Sequence, residues 1–247
     1  MIRYLGTVLM TLYLSCSFAQ TYNESYGEPK VVLIETDPWL MVIGSDVPTF
    51  ALYENGQVIY RKVVDDEYQY FEIKYDRTQT QSVISSFGIT DSLMLQSEVI
   101  EASLATDQPS NILLLNFDTL AQLEVYGNLR NLKGEARKRT PKDFLKVYDN
   151  ILKFEDAAAV TWLPDSIEVM ATNYDYSPEE PLKWNEAWND LNSSSTIKHS
   201  SGLYSIFLDR KDFDEVVKLI ENLKEKQGVE INGKKYSLNY RLPFPNL

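Results

Sequence analysis

The sequence predicts an α+β fold: an antiparallel or mixed sheet built from β-hairpins, with two main helices packed on one face. Asn55-Gly56 and Asn232-Gly233 each sit between alternating apolar runs, the signature of a hairpin turn, so strand neighbours should be antiparallel. Residues 140–154 and the stretch after Asp209 carry apolar side chains at helical spacing. Helices of that kind need an apolar sheet surface to cover.

The elements follow in chain order. Residues 1–20 read as a secretory leader: Arg3, an apolar run from Tyr4 to Leu14, then Ser17 and Ala19 as small residues before a cleavage point. The apolar run is too short to cross a bilayer as a helix. The leader is taken as residues 1–19, followed by a polar linker over 20–30 and a single α+β domain over 31–247. Cys16, the sole cysteine, lies inside the leader. Cleavage after Ala19 would remove it, leaving no disulfide or thiolate chemistry. Cleavage before Cys16 would leave a thiol for lipidation, although Tyr13 stands where such sites prefer a small aliphatic residue.

Residues 31–35 (VVLIE) form an apolar strand broken at Asp37-Pro38. Residues 49–62 form a hairpin on Asn55-Gly56, expected as a type I′ turn. Residues 68–75 add a strand whose Phe71, Ile73 and Tyr75 face the core. Residues 76–87 read as a helix capped by Asp76 and closed by Gly88. Residues 111–117 and 120–126 are two strands joined at Asp118-Thr119, and 128–139 is a basic loop. Thr140 is the expected N-cap of the next helix and Pro141 its first residue. A strand over 167–174 precedes a short helix over 185–191 and a flexible polar loop over 192–202. A strand over 203–208 leads into a helix opening at Asp209 or Asp212 and stopped by Gly228, then a hairpin over 229–240. A strand–helix–strand order occurs twice, around residues 123–174 and 203–240, and suggests two weakly similar β-α-β(β) units.

Composition excludes several functions. Acidic residues outnumber basic ones 36 to 24, a net charge of −12. Removing the leader takes away only Arg3. Such a balance opposes nucleic-acid binding, which needs phosphates neutralised by Lys and Arg, and docking on anionic lipid. Membrane association is expected only through a lipid on Cys16. There is one histidine, His199, so Cys/His zinc sites and HExxH metalloprotease chemistry are excluded. No phosphate-binding glycine loop, GxSxG elbow or dinucleotide fingerprint occurs. No cofactor is expected.

Three candidate features remain. His199 is flanked by serines, but neighbours in sequence on a loop are rarely held as nucleophile and base, so an exposed loop histidine is the reading. The acidic clusters Asp65-Asp66-Glu67 and Glu179-Glu180 read as solvated charge, with loop calcium binding as an alternative. Trp184 and Trp188, four apart, would share a helix face. Exposed, they would form a stacking platform for a sugar or peptide; buried, they fill core. These readings lead to an exported, secreted or periplasmic protein that binds another macromolecule, a protein or a glycan, without catalysis. A carbohydrate-binding or envelope-scaffold module and a carboxylate-based hydrolase are the alternatives.

Overall fold

The computed structural model describes residues 22–36, 47–64, 67–96, 99–200 and 202–247, apart from the side chains of Glu67 and Ser200. The expected leader with Cys16, the stretch 39–44, and Asp65 and Asp66 lie outside the described residues. The fold is α+β.

The first sheet is built from β1 (Pro29–Thr36), β2 (Pro48–Tyr53), β3 (Gln57–Val64) and β4 (Glu67–Lys74), then α1 (Arg77–Phe87) and α2 (Asp91–Met94), then β5 (Val99–Glu101), β6 (Ser110–Asn116) and β7 (Leu120–Tyr126). The helices α3 (Glu135–Arg139) and α4 (Lys142–Leu152) and the two-residue strand β8 (Val160–Thr161) follow. Its strand order is β5-β7-β6-β1-β2-β3-β4-β8. The second sheet takes β9 (Ser166–Asn173), β10 (Leu182–Lys183), β11 (Ile197–Ser200), β12 (Leu203–Asp209), β13 (Val229–Ile231) and β14 (Lys234–Arg241), in the order β10-β13-β14-β9-β12-β11. Helix α5 (Phe213–Glu221) lies between β12 and β13 in sequence. Every pairing is antiparallel except β5–β7 and β10–β13 at the sheet edges.

Period-two alternation sends side chains to both faces of the first sheet. Val31, Leu33, Phe50, Leu52, Val58 and Tyr60 pack with Phe144, Val147, Tyr148 and Ile151 of α4 and with Phe87 of α1. The intervening residues Val32, Ala51, Tyr53 and Ile59 face the other way and join Trp162, Ile167, Leu242 and Phe244. That aromatic-rich layer ties the first sheet to the second. The second sheet carries its own core, with Val169, Ile206, Leu208 and Leu238 against Val216 of α5. Residues 22–28, expected as linker, are bonded to the opposite end of the chain: Asn23 N donates to Asn246 Oδ1 at 2.7 Å and Asn246 Nδ2 donates to Gly27 O at 2.9 Å.

Several local expectations change in the structure. The two main helices cover different sheets, α4 the first and α5 the second, because each sheet has an apolar face of its own. The first of the two supposed repeat units is split, with β7 in one sheet and β9 in the other, so the strand–helix–strand order does not mark a repeated body. Residues 135–139 of the basic loop form α3. Thr140 does not cap α4: its hydroxyl donates to Ala136 O at 2.8 Å, closing α3 instead, and Pro141 occupies the N-cap position. Residues 185–191 make turns, not a helix, and residues 197–200 of the supposed loop form the edge strand β11. Helix α5 ends at Glu221, well before Gly228. Asp76 and Gly88 do bound α1, with a complete capping box between Asp76 and Gln79.

The two hairpins differ. At Asn232-Gly233 both residues have positive φ, 49° and 78°, and Ile231 pairs with Lys234, which is the expected two-residue I′ turn. At the first hairpin only Gly56 is left-handed, with φ of 83°. Gly56 N donates to Tyr53 O at 3.0 Å, so a type I turn closes a three-residue loop and Gly56 forms the bulge. A Cβ on Gly56 would meet Tyr75 O at 2.3 Å. Gly56→Ala is therefore expected to destabilise by more than about 1 kcal/mol, seen as a lower urea midpoint. An unchanged midpoint would refute this turn geometry.

Candidate functional site

Where the two sheets meet, a cleft of about 1120 Å³ opens between the end of the first sheet and the α5–β14 side of the second. Seven segments build it. Strands β1, β3 and β4 bring Glu35, Arg61, Tyr68 and Tyr70, and the turns before β6 and after β7 bring Gln108 and Arg130. Helix α5 contributes Phe213, Val217 and Lys218, and β14 contributes Tyr240 and Arg241.

Glu35 is the centre of the first wall. Arg130 Nε and Nη2 donate to its two oxygens at 2.8 and 2.6 Å, a bidentate pair between residues 95 apart in sequence. Tyr148 Oη donates to Oε1 at 2.6 Å and Thr49 Oγ1 to Oε2 at 2.7 Å. The turn carrying Arg130 is pinned from behind. Arg137 Nη1 donates to Leu129 O at 2.8 Å while its guanidinium also grips Asp149 of α4. Asn111 Nδ2 bonds Val125 O and Gly127 O at the exit of β7.

The electrostatics follow from these contacts. Burial pushes the Glu35 pKa upward, but Arg130 and the two hydroxyls together outweigh it and hold the carboxyl below the ordinary value of 4.5. Burial, followed by the Glu35 charge, drives the Tyr148 phenol well above its usual range. A carboxylate saturated by four donors is a poor general acid or base at neutral pH. The sign of its pH effect is fixed. Its stabilisation is complete above the ordinary glutamate pKa and is lost as pH falls through the depressed folded value. Urea midpoints followed from neutral to strongly acid pH should fall more steeply in the wild type than in Glu35→Gln. Parallel curves would contradict this.

A second polar chain crosses the second sheet. Arg241 pairs with Glu168 in the β14–β9 register, donating through Nε to Oε2 and through Nη2 to Oε1 at 3.1 Å. Ser205 Oγ donates to Glu168 Oε1 at 2.5 Å, and His199 Nε2 lies 2.6 Å from Ser205 Oγ. A carboxylate can only accept, so the serine proton points at Glu168 and the imidazole is the donor to Ser205. That is the reverse of what a nucleophile activated by histidine needs. Ser205 is also wholly buried. His199 is exposed as expected, but on the edge strand β11 and not on a loop.

The structure does not bring the remaining sequence candidates to the cleft. Trp184 and Trp188 are 8% and 9% exposed and belong to the core of the second sheet. Their rings meet edge to face with centroids 4.9 Å apart, and Trp184 Nε1 donates to Asn189 O at 2.9 Å. With both rings buried there is no open stacking platform. They meet through a turn, not through a helix face. Glu179 pairs at the surface with Lys224 at 3.7 Å. Among the described residues no group of three or more His, Cys, Asp or Glu side chains is placed to hold a metal ion. No helix among them is long and apolar enough to cross a membrane. Cys16 lies outside the described residues. The cleft residues themselves escaped sequence reasoning, because Glu35, Arg61 and Arg130 come from separate segments with no shared motif.

No protein-family model, curated protein or solved structure matches this chain.

Proposed function

We propose that this is an exported protein, secreted or periplasmic, that binds another macromolecule in the inter-sheet cleft without chemically changing it. The carrying observation is the cleft itself: a large concavity whose arginines and tyrosines are fixed in place by cross-strand and loop contacts before any ligand arrives. Pre-set side chains reduce the ordering cost of binding, and arginine and tyrosine are the residue types that dominate binding hot spots. Glu35, the most buried of the carboxylates lining the cleft, is tied to four donors, which weighs against it as a hydrolytic acid or base and favours binding. Export is supported by Arg3, the short apolar run and the small residues Ser17 and Ala19.

Two measurements test this. N-terminal sequencing of protein recovered outside the cytoplasm should begin after Ala19, or at Cys16 if a lipid is attached. Protein beginning at Met1 and confined to the cytosol would refute export. Tyr68 is 59% exposed on the cleft wall, so its replacement should leave the fold intact. A partner captured by the wild-type chain should bind Tyr68→Ala about tenfold more weakly. Equal retention would refute the cleft as the binding site.

A further inference from the structure

We infer that the cleft contains a built seat for an oxyanion at Arg61, which takes a carboxylate or phosphate group of the ligand; this rests on the cleft being the binding site. The strand register constructs it. On β3, Arg61 follows Ile59 on the face turned toward the second sheet. It pairs directly with Tyr70 on β4, and Tyr68 lies two residues along on the same face. The guanidinium carbon stands 4.1 Å from the centre of the Tyr68 ring. Arg61 Nη2 donates to Thr49 Oγ1 at 3.2 Å. That hydroxyl gives its own proton to Glu35, so it can offer Arg61 only a neutral oxygen.

Arg61 differs from the other arginines that are held by hydrogen bonds in its counter-charge. Arg130, Arg137 and Arg241 are each paired with a carboxylate through two hydrogen bonds. Among the described residues no carboxylate lies within ion-pair distance of Arg61, in a chain where acidic residues outnumber basic ones 36 to 24. A partly buried guanidinium stacked on an aromatic ring, with only the neutral oxygens of Thr49 and Tyr70 as acceptors, retains donors that water satisfies less well than an oxyanion does. Arg130 and Glu35 cancel beside it, and the other acids lining the cleft, Asp107, Asp214 and Glu221, form no ion pair with Arg61. A carboxylate or phosphate seated there would receive charge-assisted bonds from the fork that Tyr68 holds flat.

The test uses the full chain and small oxyanions as probes. Sodium phosphate and sodium acetate are titrated separately against sodium chloride at constant ionic strength and pH, with Tm and calorimetry as readouts. Wild type should show saturable stabilisation by at least one of them, and which one responds separates phosphate from carboxylate recognition. Arg61→Gln should bind that probe at least about tenfold more weakly. Arg61→Lys, which keeps the stem and charge but not the fork, should fall between the two and serves if Arg61→Gln does not fold. Arg139→Gln, an exposed change on α3, should match wild type. An equal response in Arg61→Gln, or no saturable response to either probe in wild type, overturns the seat. The two readings separate cleanly. If Arg61→Gln loses the oxyanion while Tyr68→Ala keeps the captured partner, the seat stands and the proposed binding site fails. If Tyr68→Ala loses the partner and wild type ignores both probes, the reverse holds.

Discussion

Replacing Glu168 with alanine is expected to cost about 3–5 kcal/mol of stability, the usual penalty for breaking a buried ion pair from one side. Glu168 is 1% exposed and Arg241 9%. The carboxylate accepts from Arg241 twice and from Ser205 once, and so joins strands β12, β9 and β14 on one face of the second sheet. Removing it takes away the counter-charge that Arg241 shares with it and the acceptor of a fully buried hydroxyl. Globular proteins are stable by only about 5–15 kcal/mol, so the variant should sit near the limit of folding. Urea denaturation followed by circular dichroism measures the loss. Glu168→Gln keeps an acceptor for Ser205 and should be less damaging, and Ser205→Ala milder still. A Glu168→Ala midpoint within error of wild type would show that this carboxylate does not support the sheet.

Phe244→Ala should have a comparable effect through packing, about 3–5 kcal/mol. The ring is 1% exposed, with its centroid 5.0 Å from that of Trp162 and 6.1 Å from that of Tyr70. It fills the layer where the two sheets meet, beside Tyr53, whose hydroxyl donates to Pro245 O at 2.9 Å. Truncation leaves a void between two rigid surfaces that cannot both relax into it. Because Phe244 belongs to neither helix-covered core, the loss should loosen the joint more than either sheet. Hydrogen exchange should therefore rise first in β1 and β14, where they face this layer, and less in β6 under α4. Uniform acceleration across both sheets would refute that division.

Local chemistry made individual elements legible in the sequence. Asp76 and Gly88 framed α1, Asn232-Gly233 gave its turn type, and apolar spacing gave the buried face of α4. Each of these signals acts over a few residues. The misreadings share a different cause. Thr140 has the chemistry of an N-cap, yet it stands at a junction of two helices and serves the one before it. Trp184 and Trp188 have helical spacing, yet a turn brings their rings together. Asn55-Gly56 marks a hairpin correctly, but the register of β2 on β3 leaves room for one more loop residue than a type I′ turn uses. The division into two sheets was not legible, because alternation shows that a strand has two faces without showing what covers the second. The cleft was less legible still. Glu35 and Arg130 are 95 residues apart, and nothing local to Arg61 reveals that its neighbours would supply no acid.

The outermost strands of both sheets are short: three residues in β5, two each in β8 and β10, and four in β11. A flank this brief gives a foreign chain little unsatisfied backbone to zip onto. Polymerisation by strand addition is therefore restricted to stretches that these short flanks leave uncovered, as on β4 and β7. It also constrains how recognition can occur. A visitor gains only short runs of backbone pairing by lengthening a sheet, so side chains carry more of its reading, and selectivity then depends on which groups it carries more than on its willingness to become a ribbon.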